Sequence, residues 1–460
     1  MNSNFRKMNF AACILAASLL AGPAAYAAET SSLMPAAGTS SIGTTGYQGM
    51  QPNAAVLQQT YAALAAAAET NAPLRIAAVG DSLTAGYENG MTESTVPYGY
   101  ADRVYEQALY HGAAELQNFG VLGLKSDGLR QWLEAAQNGT SVTADGIQPG
   151  LSKYRLAPET IAKSAELRTV LEQANLIVMT IGGNDFLPLF DEMKQHVMSP
   201  SDIQTWIDTM LASYQTSLEA SLTAALAINP KAEIVFADQY LPVPKPSPIN
   251  KAVTEEQYAV LQGAVKQLRE LDESVASRFL EQGYRVKTVD VSEPFIGKEL
   301  AYTSILQGDI HPKQAGYEQM AMAFAKGIWG EYRKPAPLPA GVPLDIVING
   351  SVLGGKNKPI LKNDTTFLPM RDIADALNAQ LTWDGKTKTA TISANNKVVS
   401  FTIGAKTMKV DGTAVPLETP AYLQQANGGS FTYLPLAALS RGLGYQVVYR
   451  KSLQTAFINS

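Results

Sequence analysis

The chain has 460 residues, of which 46% are hydrophobic and 17% charged, and its net charge is −5. That length exceeds one ordinary core, and that composition excludes a disordered chain. A nucleic-acid partner would need a basic face, which this composition does not offer.

Residues 1–27 read as a signal peptide. Arg6 and Lys7 give a positive region, "NFAACILAASLLAG" an apolar run, and Ala25, Tyr26 and Ala27 a small-x-small cleavage pattern. The run is too short for a stable membrane span, so a secreted, extracellular chain cut before Ala28 is expected. The one cysteine, Cys13, lies near the start of this run, whereas a lipid-modified cysteine would follow it. The mature chain then has no disulfide and no thiol chemistry.

Residues 28–73 read as a flexible leader rich in Ser, Thr, Gly and Ala, followed by an alanine-rich helix. From residue 74 the pattern alternates. "LRIAAVG", "AELQNFGV", "LIVMTIGG", "AEIVFADQY" and "YRVKTVDV" read as short strands. Between and after them, "PYGYADRVYEQALYHG", two long amphipathic segments over 201–229 and 254–283, and "QAGYEQMAMAFAKGIWG" read as helices. Strands alternating with helices predict an α/β domain over 74–331, with a parallel sheet and helices on both faces. Ligands bind beyond the carboxyl ends of such strands.

"YRKPAPLPAGVP" puts four prolines into residues 332–343. It reads as a semi-rigid linker, and as a boundary that few contacts should cross. Beyond it, residues 344–460 contain a repeat. "FLPMRDIADALNAQLTWDGKTKTATI" from Phe367 and "YLPLAALSRGLGYQVVYRKSLQTAFI" from Tyr433 align at an offset of 66, pairing Pro369 with Pro435 and Ile392 with Ile458. Each unit reads as a strand, a helix and a hairpin, so the tail is a small α+β repeat domain.

The first strand ends in "AAVGDSLTAGY". Ser82 there has little bulk around it, as a turn or a nucleophile would. A serine hydroxyl attacks only if a base takes its proton, and acyl transfer also needs donors for an oxyanion. The chain has three histidines. His111 and His196 sit in polar helical contexts. His311, in "GDIHPKQAGY", sits in a loop before a helix with Asp309 two residues ahead, and is the candidate base. Gly123 in "NFGVLG" and the Asn184 amide in "IGGNDF" are candidate donors, each in a loop after a strand. No G-x-S-x-G elbow and no clustered Cys/His set occurs, so neither the α/β-hydrolase design nor a metal or other cofactor is indicated.

Taken together and in this order, "GDSLTAGY", "NFGVLG", "GGND" and "DIHP" resemble the GDSL lipases and esterases, or SGNH hydrolases, over roughly residues 74–330. The resemblance implies a three-layer α/β/α, flavodoxin-like parallel sheet and a serine ester hydrolase. It makes Ser82 the nucleophile and His311 the base. The Ser82 and Gly123 backbone N–H groups and the Asn184 side chain become the oxyanion donors. Gly80 and Gly86 then clear space for Ser82, and Asp81 holds the loop. One position departs: the family's acid stands three residues before the histidine, here Gly308. Either Asp309 or a backbone carbonyl orients His311. "YENGMTESTVPYGY" and "FLPLFDEM" are expected to line the acyl pocket, with Phe186, Leu187, Leu189 and Phe190 facing an apolar chain or packing a helix onto the sheet.

The tail's "FLPMRDIADALNAQLTWD" resembles the repeat domain named after the N-terminal region of copper amine oxidases. No histidine or cysteine follows His311, so the name brings no copper chemistry. It implies an accessory domain, either a cell-wall polymer binder or a structural module. The substrate is then an ester, an acyl lipid or an acylated saccharide. A carbohydrate O-deacetylase is the alternative enzyme, and a non-catalytic envelope-binding protein the alternative of another class.

Overall fold

The computed structural model describes residues 72–460, apart from 93, 355–356 and 427–428. The signal peptide read at 1–27 and almost all of the leader and helix read at 28–73 lie outside the described residues.

Five strands form the first sheet: β1 (Leu74–Gly80), β2 (Ala114–Gly120), β3 (Leu176–Thr180), β4 (Glu233–Ala237) and β5 (Arg285–Val289). Their order is β2-β1-β3-β4-β5 and every neighbouring pair is parallel. This is the flavodoxin-like order, which reverses between β1 and β3 and opens a crevice beyond their carboxyl ends. The longer helices are α1 (Tyr100–Leu109), α2 (Ser126–Asn138), α3 (Ser164–Gln173), α4 (Gly183–Gln195), α5 (Pro200–Ile228), α6 (Glu255–Glu281) and α7 (Gln314–Trp329).

Alternate residues of β1 feed two cores, as the two-residue period of a strand requires. Ala77 and Val79 pack with α2, α3, α5 and α6. Ile76 and Ala78 pack with α1 and α7. The result is the expected three-layer sandwich. Neither α2 nor α3 is among the helices expected from the sequence, and "IGGNDF" reads as a loop, whereas α4 begins at Gly183. Gly-Gly-Asn-Asp is turn composition, and Pro188 looks like a breaker. Six residues into α4 it withholds one N–H from the Asn184 carbonyl, yet the helix runs on past it to Gln195.

The tail contains β6 (Asp345–Ile348), β7 (Ser351–Val352), β8 (Ile360–Lys362), β9 (Thr365–Pro369), α8 (Met370–Ala376), β10 (Gln380–Asp384), β11 (Thr389–Ala394), β12 (Lys397–Thr402), β13 (Thr407–Val410), β14 (Thr413–Pro416), β15 (Tyr422–Ala426), β16 (Gly429–Pro435), α9 (Leu436–Gly442), β17 (Gln446–Arg450) and β18 (Thr455–Asn459). The repeat is structural: strand, helix and hairpin recur as β9-α8-β10-β11 and β16-α9-β17-β18. The copies meet where β9 pairs antiparallel with β16, Leu368 opposite Leu434, the same position in each unit. Both units share one core with Leu368, Ile392, Leu434 and Ile458 in it.

The linker is not the clean boundary its prolines suggest. Phe457 and Val347 belong to the same core as α1 and α7. The Phe457 ring meets Tyr110 edge-on at 4.9 Å. Asn459 Nδ2 donates to the carbonyls of Leu109 (2.9 Å) and Gly112 (2.8 Å). Gln446 exchanges both amide bonds with the Ala114 backbone on edge strand β2. Glu106, only 1% exposed, accepts from Arg450 Nε at 2.9 Å and Ser452 Oγ at 2.6 Å. A buried carboxylate needs such a partner.

Truncation after Pro337 should therefore destabilise the hydrolase half. Uncovering the Phe457 contact alone is on the scale of a large core truncation, about 3–5 kcal/mol. That corresponds to a fall in Tm of roughly 10 °C for a domain of this size. Differential scanning calorimetry and soluble yield check it. An unchanged Tm would restore the detachable-module reading.

Candidate active site

Ser82 stands just past β1, at the switch point of the sheet. Gly80, with φ of +147°, makes this turn possible: a Cβ there would lie 2.1 Å from the Thr180 carbonyl oxygen. Asp81 is buried beneath the turn. Its Oδ1 accepts from the Leu83 N–H (3.0 Å) and the Thr180 hydroxyl (2.9 Å). Burial pushes its carboxyl up to about 6, against the pull of the Thr180 hydroxyl, the Leu83 N–H and His311. The loop-holding expected of Asp81 is what its hydrogen bonds do.

His311 arrives from the opposite edge, in the loop before α7. Its Nε2 lies 2.8 Å from Ser82 Oγ. Its Nδ1 lies 2.6 Å from Asp309 Oδ1, which also accepts the His311 backbone N–H at 2.7 Å. Gly308, at the position where the family carries its acid, is left-handed with φ of +76°. That turn lets an aspartate two residues before the histidine reach the ring. Burial alone would raise the Asp309 carboxyl, but the hydrogen bond and charge of His311 outweigh it and hold it below the usual range. The Tyr87 ring meets the imidazole edge-on at 4.6 Å, and Tyr240 Oη donates to the Ile310 carbonyl at 2.8 Å. These two tyrosines brace the loop, and neither stood out in the sequence.

Gly123 and Asn184 lie in the loop after β2 and the first turn of α4. Gly123 has φ of +76°, and a Cβ there would fall 2.2 Å from the Tyr154 ring. Asn184 Nδ2 donates to the Leu124 carbonyl at 2.9 Å, using one of the amide's two N–H groups. Asp185 ties α4 to α2 by accepting from Ser126 N (3.0 Å) and Ser126 Oγ (2.7 Å). The two other histidines lie elsewhere. His111 stacks on Trp329 and His196 sits 3.7 Å from Glu192.

Two cavities share Ser82, Asn184 and His311. One is apolar, walled by Phe186, Leu187 and Phe190 of α4 and by Leu261, Val265 and Leu268 of α6. The other is the more polar of the two, with Lys125, Gln148, Lys153, Tyr154, Asp191 and Asp309 on its walls. Leu189, expected beside the phenylalanines, is fully buried in the core instead. A helix turns Leu189 away from the face that carries residues 186, 187 and 190. None of the described residues of 87–100 lines either cavity. Among the described residues, no group of three or more His, Cys, Asp or Glu side chains is placed to hold a metal, and no helix is long and apolar enough to cross a membrane.

A buried serine and histidine and a half-buried aspartate in hydrogen-bond sequence, with N–H donors nearby, is the arrangement acyl transfer requires. Among solved structures, the lipase Lip_vut3 from a goat rumen metagenome is 18% identical over 55% of this chain and 95% of its own, with a TM-score of 0.39. An extracellular lipase from Streptomyces rimosus is 16% identical over 54% and 98%, with a TM-score of 0.36. The acetylxylan esterase Axe2 from Geobacillus stearothermophilus is 14% identical over 57% and 96%, with a TM-score of 0.32. No match was found among curated proteins. Residues 347–458 match the copper amine oxidase N-terminal domain. Residues 78–319 match the GDSL-like lipase/acylhydrolase family, and with more than half of its length so matched the chain belongs to that family and is a carboxylic ester hydrolase.

Proposed function

We infer that the protein is a secreted acylhydrolase working through an acyl-enzyme at Ser82, with preference for an aliphatic acyl chain. The carrying observation is that the Ser82–His311–Asp309 sequence of hydrogen bonds opens directly onto the apolar cavity.

In this reading His311 Nε2 takes the Ser82 hydroxyl proton as Oγ attacks the ester carbonyl. The carbonyl oxygen becomes an oxyanion and meets the backbone N–H groups of Ser82 and Gly123 and the free N–H of Asn184. As the tetrahedral intermediate collapses, the ester C–O bond breaks and His311 returns the proton to the leaving alcohol. Water then attacks the acyl-enzyme, with His311 again taking and returning one proton. Asp309 keeps the Nδ1 proton in place and stabilises the imidazolium. On this reading Asp309, rather than a backbone carbonyl, orients His311, and the short Nδ1–Oδ1 contact of 2.6 Å supports it.

The acyl chain follows α6. Leu261, Ala264, Val265 and Leu268 recur at helical spacing along the cavity wall. Leu261 to Leu268 spans two turns, about 10 Å of helix, the reach of roughly six to eight carbons. The alcohol would occupy the polar cavity, which is also what favours the second reading, deacetylation of a saccharide. Export rests on the N-terminal pattern of Arg6, Lys7 and the apolar run.

A ladder of p-nitrophenyl esters from acetyl to palmitoyl, beside acetylated xylan, separates the two. We expect kcat/KM to rise by up to about fourfold per methylene until the cavity is full. Val265→Trp should shorten the preferred chain while leaving acetyl ester turnover unchanged. Highest activity on acetyl esters, with acetate released from the xylan, would favour the deacetylase.

A further inference from the structure

We propose that Gln148 is a positioning residue that holds the oxyanion-binding turn in shape. The proposal rests on the reading of Gly123 and Asn184 as oxyanion donors given above.

The turn from Val121 to Ser126 cannot hold itself. Its internal hydrogen bond, Leu124 N–H to the Val121 carbonyl, is long at 3.3 Å. Side chains claim the successive backbone groups instead. Gln148 Nε2 donates to the Gly123 carbonyl at 2.8 Å. Asn184 takes the Leu124 carbonyl and Asp185 the Ser126 N–H. The Lys125 N–H donates to Gln148 Oε1 at 2.8 Å. Gln148 thus brackets the turn with both ends of one amide, one end donating and the other accepting. It fixes the carbonyl of the very residue whose φ of +76° aims its N–H.

Gln148 is itself anchored. It follows the short helix Ala144–Ile147, and its N–H donates to the Ala144 carbonyl at 3.0 Å. Six residues on, the Tyr154 ring packs against Gly123. One segment, on the wall of the polar cavity, therefore supports the turn twice. Oxyanion donors act because they are pre-set, and small misplacements cost large factors. A side chain of similar length with no donor and only a weak thioether acceptor would free the turn without opening a gap.

The test is Gln148→Met, with Gln148→Ala as a second variant should the first fold poorly. Three quantities are read: kcat and KM on p-nitrophenyl octanoate, the inhibition constant of a hexyl trifluoromethyl ketone, and Tm. The ketone forms a tetrahedral oxyanion adduct, so it reads the donors themselves. We expect kcat to fall roughly 10–100-fold, with KM within about twofold. The ketone should weaken by a similar factor. Unchanged kcat overturns the proposal. So does a lower Tm and kcat with undiminished ketone affinity, which marks a merely structural residue. A fluorophosphonate, whose fluoride a nucleophilic serine displaces, separates this from the underlying reading. No adduct on Ser82 of the wild-type protein would overturn that reading and this one with it. An adduct together with unchanged ketone affinity would overturn only the role of Gln148.

Discussion

Ser82→Ala is expected to leave a folded protein whose turnover of p-nitrophenyl octanoate falls by roughly 10⁶-fold, the scale set by removal of a serine nucleophile. The hydroxyl has one side-chain hydrogen-bond partner, His311 Nε2 at 2.8 Å. Losing Oγ removes the attacking atom and little else. The turn itself is held by Gly80 and by the Asp81 contacts to Leu83 and Thr180, none of which involves the Ser82 side chain. His311 keeps Asp309 and faces cavities that water can enter. Tm should therefore move by no more than a few degrees. The fluorophosphonate adduct should vanish in parallel with turnover. Residual kcat above about a tenth of wild type would remove Ser82 from the mechanism.

Much of this site was legible because its parts are local. Ser82, Gly123 and Asn184 each sit within a few residues of a strand end, and His311 just ahead of α7, where glycine, proline and turn chemistry mark the sequence. The tail repeat was legible for a similar reason: an offset of 66 preserves Pro369 and Pro435 in register. The walls of the site were not legible. Leu261, Ala264, Val265 and Leu268 have the spacing of any core-facing helix stripe, and sequence cannot tell a core from a cavity wall. Gln148 belongs to no pattern at all, since its role depends on meeting a turn more than twenty residues earlier.

Docking of the tail was hidden for a different reason. Glu106 is a charged residue of α1 whose polarity gives no hint of burial, yet it is buried against Arg450 and Ser452 of the tail. The repeat did carry a signal. Gln446, Val448 and Arg450 in the second copy correspond to Gln380, Thr382 and Asp384 in the first. Arg450 can pair with Glu106, whereas Asp384 at the same place would repel it. The difference between the copies, rather than their likeness, says which one docks.

Asp309→Asn tests the part of the site that departs from the family pattern. We expect kcat to fall roughly 10²–10³-fold, with KM little changed. Two losses are conceivable when such an acid becomes an amide. The amide can flip, presenting N–H to the imidazole and forcing the wrong tautomer, a loss of about 10⁴. Here the same Oδ1 accepts both His311 Nδ1 and the His311 backbone N–H. A flipped amide would set N–H against N–H, so the oxygen should stay and the tautomer with it. What disappears is the charge facing the imidazolium in the transition state. At about 4 Å and an effective dielectric near 20, such a pair is worth about 4 kcal/mol, or ~10³ in rate. Steady-state kinetics with a pH profile of kcat/KM checks this. A loss near 10⁴ would mean that the amide does flip. A loss below about fivefold would mean that Asp309 is not the orienting group, and that Ser82 and His311 work as a dyad braced by backbone alone.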